Sequence, residues 1–163
     1  MSASPQSIKG ITIPAQTRRN LCEIYINNVD PLFKILHRPS LRAFLLEDKP
    51  YLDYEQDHAA PNTLALAVYY AAVITIDDSQ CQLLFGTDKK TISLDLQREV
   101  EAALVRVDFV TTTDLTVLQA YVLSLVSLHL KPFVTHYSTE NGKLINSSSR
   151  PVVKIKVGGC GRC

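Results

Sequence analysis

Apolar residues return at three- and four-residue steps over most of the first 130 positions, the period of helices that pack on one side. The alternation of a strand occurs in one short piece, VVKIKV, near the end. A polar lead covers residues 1–14. Pro14 then opens a first helix that reaches about Val29, with Leu21, Ile24, Tyr25 and Val29 on one face. Asp30-Pro31 ends it, because the residue before a proline is pushed out of the helical region and the ring clashes with a continuing turn. LFKIL, residues 32–36, is expected to be an apolar linker buried beside that helix. Pro39 breaks the backbone again. Ser40 is expected to cap a short second helix whose inner stripe is Leu41, Phe44 and Leu45, so Ser40→Ala would cost about 1 kcal/mol.

Residues 47–61 are acidic and turn-rich and read as a surface loop. A third helix is expected over 62–75, capped by Asn62 or Thr63. DDSQ starts a loop or short helix that buries Leu83, Leu84 and Phe85 and stops at Gly86. Residues 92–107 form the cleanest amphipathic segment, with Ile92, Leu96, Val100, Leu104 and Val107 on one face. TTTDLTVLQAYVLSLVSLHL is expected to be a further helix, capped by Thr113, with Asp114 in its first turn and Pro132 ending it. It is apolar on nearly all sides, which predicts a place at the centre of a bundle. The expectation is an all-α fold. An irregular bundle of about five helices occupies 15–131, between the flexible lead 1–14 and an irregular, poorly structured basic tail, 132–163. No internal repeat is present.

Composition narrows the function classes. The chain has 163 residues, enough for one domain of ordinary size. A net charge of +1 gives no whole-molecule reason to bind nucleic acid or a membrane. The tail differs: five Lys or Arg against one acidic residue from Ser138 onward put about +4 there and about −3 on the rest. MSASPQSIKG has neither the basic flank nor the apolar run of a secretory signal. The longest apolar stretch, 115–130, is shorter than a membrane span and is interrupted by polar residues. An intracellular chain is therefore expected, with free thiols, and Cys22 and Cys81 read as small core side chains.

Candidate chemistry is sparse. His37-Arg38 could bind an acidic effector, but the bland reading of a histidine bonding a free carbonyl beside a solvated arginine is favoured, since no acid or nucleophile lies near. Cys160 and Cys163 have the spacing of half a zinc site or of a redox pair. They are weak metal candidates, because no helix follows to lower a thiol pKa and a loose chain end is the simpler reading. Asp77-Asp78 and the acids from Glu47 to Asp57 lack the glycine and closing glutamate of a calcium loop. Arg18-Arg19 and Lys89-Lys90 are too few to form a nucleic-acid stripe. No phosphate loop, nucleophile elbow or zinc-protease motif occurs, so neither catalytic nor cofactor-binding residues are assigned.

One set of motifs points further. L-x-x-x-Y-x-x-x-V is followed by P-L-F-x-I-L-H-R-P-S, and much later by T-x-x-x-L-Q-A-x-x-L. Over residues 16–130 this resembles the start of the middle homology region of fungal transcription factors, the regulators that carry a six-cysteine binuclear zinc cluster. The motif residues are Pro31, Phe33, His37, Arg38, Pro39, Ser40 and Gln119. The resemblance implies an all-helical regulatory domain of a nuclear protein, without catalysis, in a family that governs metabolic and secondary-metabolite gene clusters. It also implies protein partners, an intact regulator or a second copy, with no direct DNA contact by this chain and no membrane. Zinc belongs only to intact members, because four scattered cysteines cannot bridge paired zinc ions. The chain thus reads as a truncated relative or fragment, nuclear, or cytoplasmic if it lacks an import signal. Apolar surface that later helices would cover is expected to be bare. Two alternatives stand beside this: a small metal-binding or redox protein using the C-terminal cysteines, and a fragment without function.

Overall fold

The computed structural model describes the backbone of residues 13–140 and the side chains of residues 13–131. Among the described residues there are six helices and no strand. These are α1 (Ala15–Asn28), α2 (Arg38–Glu47), α3 (Ala59–Thr75), α4 (Asp78–Phe85), α5 (Lys89–Arg106) and α6 (Leu115–Glu140). The expected all-α fold is present, with the short α4 as a helix of its own.

The stripes read from the sequence do pack inward. Leu21, Ile24, Tyr25 and Val29 of the first helical segment are buried, as are Ile92, Leu96, Val100 and Leu104 of α5. The centre of the bundle is a different helix from the one expected. α3 buries 14 of its 17 residues and packs against α1, α5 and α6. Ala65, Ala67, Ala71 and Ala72 keep its surface low, which lets three neighbours approach. α6 packs against α3 and α5, burying Val117, Ala120 and Leu123. Its other side carries exposed leucines, so an all-round apolar sequence did not mean an all-round buried helix.

The starts of α2, α3 and α5 each fall three residues earlier than the sequence suggested, whereas α6 starts one residue later. α3 begins at Ala59 and is capped by His58, whose side chain accepts from Ala60 N, rather than by Asn62 or Thr63. Pro61 fits there because a proline in the first turn gives up an N–H that has no helical partner anyway. The same logic places Pro39 inside the first turn of α2, with His37 at the cap position and Ser40 two residues into the helix. Ser40 is therefore not the N-cap. Asp114, not Thr113, caps α6, accepting from Thr116 N at 2.8 Å. Asp77 closes a capping box with Gln80 at α4, and Asp88 caps α5. Gly86 ends α4 at φ 71°, a left-handed conformation that a side chain would strain.

Four burial or boundary expectations are corrected. Leu83 is 71% exposed and Leu32 65% exposed, because a short helix and a tight turn each turn one apolar residue outward. The 47–61 segment is not wholly a surface loop: Tyr51 is buried, its ring 5.5 Å from that of Phe44. Pro132 does not end α6, whose backbone stays helical to Glu140. A proline removes one N–H from the ladder, and the remaining bonds span it. The rest of the expected tail, from residue 141 onward, lies outside the described residues. Cys160, Cys163 and VVKIKV lie outside the described residues.

Candidate functional site

The proline-bracketed corner between α1 and α2 gathers the polar groups of the motif region. α1 stops as Val29 N and Asp30 N both donate to Tyr25 O, at 2.9 and 3.0 Å. Phe33 N returns to Val29 O at 3.1 Å, and Ile35 N to Phe33 O at 2.8 Å, so residues 29–35 fold back on themselves. Gln119 of α6 donates from Nε2 to Ile35 O at 3.0 Å and ties the corner to the far end of the motif set. Arg38 Nε donates to Asp30 Oδ2. Asp30 is 2% exposed, whereas the Arg38 side chain is about half exposed. The ion pair thus reaches from solvent into the bundle. His37 Nδ1 and Ser40 Oγ lie 2.9 Å apart across the first turn of α2.

This geometry assigns each motif residue a place. Pro31, His37 and Pro39 are exposed, Phe33 packs half-buried against the core, and Ser40 and Gln119 are half-buried. Arg38 is committed to Asp30 and is not a free cation awaiting an acidic ligand. Asp30 is the residue that the sequence reading missed. Its place before Pro31 was read only as a helix stop, and nothing in a lone Asp-Pro pair marks the carboxylate as buried. Below it, Asp30 Oδ1 and the Tyr25 hydroxyl are buried without a hydrogen bond among the described residues. Burial first, then the nearby Asp30 charge, pushes the Tyr25 phenol well above its ordinary range.

Beside the corner runs a groove of about 520 Å³ between the 51–54 segment and the start of α6, where His37, Tyr51, Tyr54 and Gln119 meet Leu52 and Leu115. The Tyr54 hydroxyl donates to Asp114 Oδ1 at 2.6 Å, fixing the loop to the cap of α6. Burial and then that bond push the Tyr54 phenol up. A second cleft, about 490 Å³, lies between α1, α2, α3 and the loop. It mixes Arg18 and Lys49 with Asp48, Glu55 and Asp57, so neither sign of ligand is selected.

The remaining groups are chemically quiet. Burial pushes the Cys22 thiol up to about 12 and the Cys81 thiol up to about 11, which keeps both protonated and unreactive at neutral pH. Among the described residues no group of three His, Cys, Asp or Glu is placed to hold a metal ion. No described helix is long and apolar enough to cross a membrane.

The outer face of α6 carries exposed apolar side chains. Leu115, Leu118, Val122 and Leu125 are 68, 38, 44 and 37% exposed. Thr116, Val117, Ala120, Leu123, Ser124 and Ser127, on the opposite side, are buried. Leu52 stands at the same groove, 57% exposed and with φ 51°, a backbone region that a bulky residue enters only under strain.

Comparisons with known proteins agree with the motif resemblance. Over 126 residues, 77% of its length, the chain is 40% identical to the C6 finger domain transcription factor adaR of Aspergillus niger. It is 41% identical over 110 residues to the C6 finger domain transcription factor nscR of Aspergillus fumigatus. It is 43% identical over 108 residues to the transcription factor vrtR2 of Penicillium aethiopicum. The matched stretches cover 67% and 66% of this chain in the latter two. The chain spans only 16, 14 and 13% of the length of these three relatives. No family model matches the chain, and no solved structure matches it.

Proposed function

We propose, taking the kinship with a segment of the fungal C6 finger transcription factors as the premise, that residues 13–131 form a helical regulatory module of a transcriptional regulator. The observation that carries this is the 40% identity over 126 residues to a relative of that name. The all-helical bundle is consistent with it. The module acts through protein contacts and not through catalysis, in keeping with its unreactive thiols and with an arginine already engaged by Asp30. The location that fits is the nucleus. The family's zinc ligands and DNA-reading residues are assigned to no position of this chain, and the genes governed are of the metabolic or secondary-metabolite kind that the motif resemblance implies. Partners of the module are an intact regulator of the same family or a second copy.

A tethering assay tests the reading. The full chain is fused to a heterologous DNA-binding domain in a filamentous fungus, upstream of a reporter with matching sites. The reading expects the fusion to raise or lower reporter output several-fold relative to the DNA-binding domain alone. It also expects a full-length C6 finger relative to co-purify with the fusion. Reporter output equal to the control, with the fusion present in the nucleus at matched levels, would contradict it.

A further inference from the structure

We infer that the cleft between α1, α2, α3 and the 48–58 loop binds a small carboxylate with an apolar ring body, held by Arg18 and Tyr69. This goes beyond the protein-contact reading above and does not depend on it. Depth is the first argument. Taken together, the charges at the cleft select neither sign, but they do not stand at one level. Asp48, Lys49, Glu55 and Asp57 are exposed and form its rim, whereas Leu45, Tyr51, Pro61, Ala65 and Tyr69 are buried and form its floor. Lys49 is paired with Glu47, 2.6 Å away. Arg18 stands between the two levels, half-buried, and has no carboxylate partner among the described residues.

Unmade hydrogen bonds are the second argument. Among the described residues the Arg18 guanidinium makes no hydrogen bond, and its Nε is buried without a partner. Tyr69 is 2% exposed and lines the same cleft, yet its hydroxyl makes no hydrogen bond among the described residues. Buried donors are rarely left unpaired, because a desolvated polar group without a partner is costly. The two groups are neighbours: burial pushes the Tyr69 phenol above its ordinary range, and the Arg18 charge draws it back. A carboxylate answers both at once, since its oxygens accept charge-assisted bonds from a guanidinium and from a phenol. The third argument is shape. The Phe44 and Tyr51 rings, 5.5 Å apart, stand in the wall above the apolar floor, which suits a ring better than a polar chain. The volume, about 490 Å³, lies within the roughly 300–1,000 Å³ of small-molecule sites. The wall is already in place. Asn62 Nδ2 donates to Asp57 O at 3.2 Å and the Tyr54 hydroxyl to Asp114 Oδ1 at 2.6 Å, so the loop is tied to α3 and to the start of α6.

The test titrates sodium benzoate into the full chain at neutral pH, followed by nuclear magnetic resonance of the backbone amides and of the Arg18 Nε–H. Saturable binding with a dissociation constant of about 1 mM or tighter is expected, with the Arg18 resonance moving on the same curve. Neutral benzamide is expected to bind at least about tenfold more weakly, because its bond to the guanidinium is no longer between two charges. Arg18→Gln is expected to weaken benzoate about tenfold and Tyr69→Phe about threefold, each in a variant that keeps the wild-type thermal melt. Arg19→Gln, its exposed neighbour on α1, is expected to leave binding unchanged. The acid-against-amide comparison uses the wild-type chain alone, so it decides the matter even where a variant fails to fold. No saturable binding up to about 20 mM benzoate overturns the proposal and leaves the cleft to a segment of the chain itself. Benzamide bound as tightly as benzoate, or folded Arg18→Gln and Tyr69→Phe variants that bind like wild type, overturns it as well. Binding with a silent tethered reporter counts against the regulator reading alone; an active reporter without binding counts against this site alone.

Discussion

α3 and α6 are the two most apolar helices of the chain, and they occupy opposite situations. α3 is buried on every side by α1, α5 and α6. α6 is buried on one side and presents a row of leucines and a valine on the other. What separates them is residue size and spacing, not hydrophobicity. α3 interleaves alanines with large side chains, which suits close approach from several directions. α6 carries large residues on two faces with polar Ser124 and Ser127 tucked inward, their hydroxyls donating to Tyr121 O and Leu123 O at 2.8 Å. Small hydroxyls bonded within the helix are compatible with burial, and exposed leucines are compatible with a partner. An apolar run therefore reports how much surface a helix can bury, not where its partner lies.

The comparison is broken most sharply by matched truncations. Leu64→Ala in α3 removes a fully buried side chain and is expected to lower stability by about 2–5 kcal/mol in equilibrium denaturation. Leu118→Ala in α6, at concentrations where the chain is monomeric, should cost under about 1 kcal/mol, since much of that side chain already meets water. Equal losses at the two sites would erase the distinction.

Next in size is the corner. Arg38→Ala strands the buried Asp30 carboxylate and is expected to cost about 2–3 kcal/mol, somewhat below the range for a fully buried pair because Arg38 is half exposed. Adding Asp30→Asn to that variant should recover part of the loss, and a denaturation-based double-mutant cycle reads the coupling. Asp114→Ala removes both the cap of α6 and the acceptor of the Tyr54 hydroxyl, for an expected cost of about 1–2 kcal/mol. Tyr54→Phe should reproduce the smaller part of it.

A pH titration sharpens the contrast between caps. The Thr91 hydroxyl and backbone N–H hold the Asp88 carboxyl below its ordinary value of 3.8. A carboxylate depressed in the folded state stabilises above its unfolded pKa, and that contribution fades as pH falls through the lower folded value. Asp88→Asn should therefore flatten the acid limb of the stability profile below about pH 4. The smallest effect is expected at Ser40. As the third residue of α2 and not its cap, Ser40→Ala should change stability by under about 0.5 kcal/mol, in contrast with the cap loss that the sequence alone suggested.

The parts of this fold that were legible in the sequence were those with a single buried stripe. Leu21, Ile24, Tyr25 and Val29 were legible because they fall at helical steps and Glu23, Asn27 and Asn28 between them are polar; so were Ile92, Leu96, Val100 and Leu104. Helix starts were displaced because proline and alanine extend a first turn ahead of the side chains that looked like caps, as at Ala59 and Pro39. The identity of the central helix was hidden because the segment that became α6 is itself apolar on nearly all sides. The motif residues from Pro31 to Ser40, and Gln119, could be named as a set from the resemblance. Their arrangement could not, since the Arg38–Asp30 pair depends on how residues 29–35 fold back, a local path with no periodic signature.

The most direct test of the arrangement is hydrogen–deuterium exchange of the full chain, followed by mass spectrometry at a concentration where it is monomeric. The account expects peptides from α3 to exchange slowest, through global unfolding alone, with peptides from 115–130 exchanging faster through local opening on their bare side. Protection of 115–130 equal to or greater than that of 59–75 would contradict it.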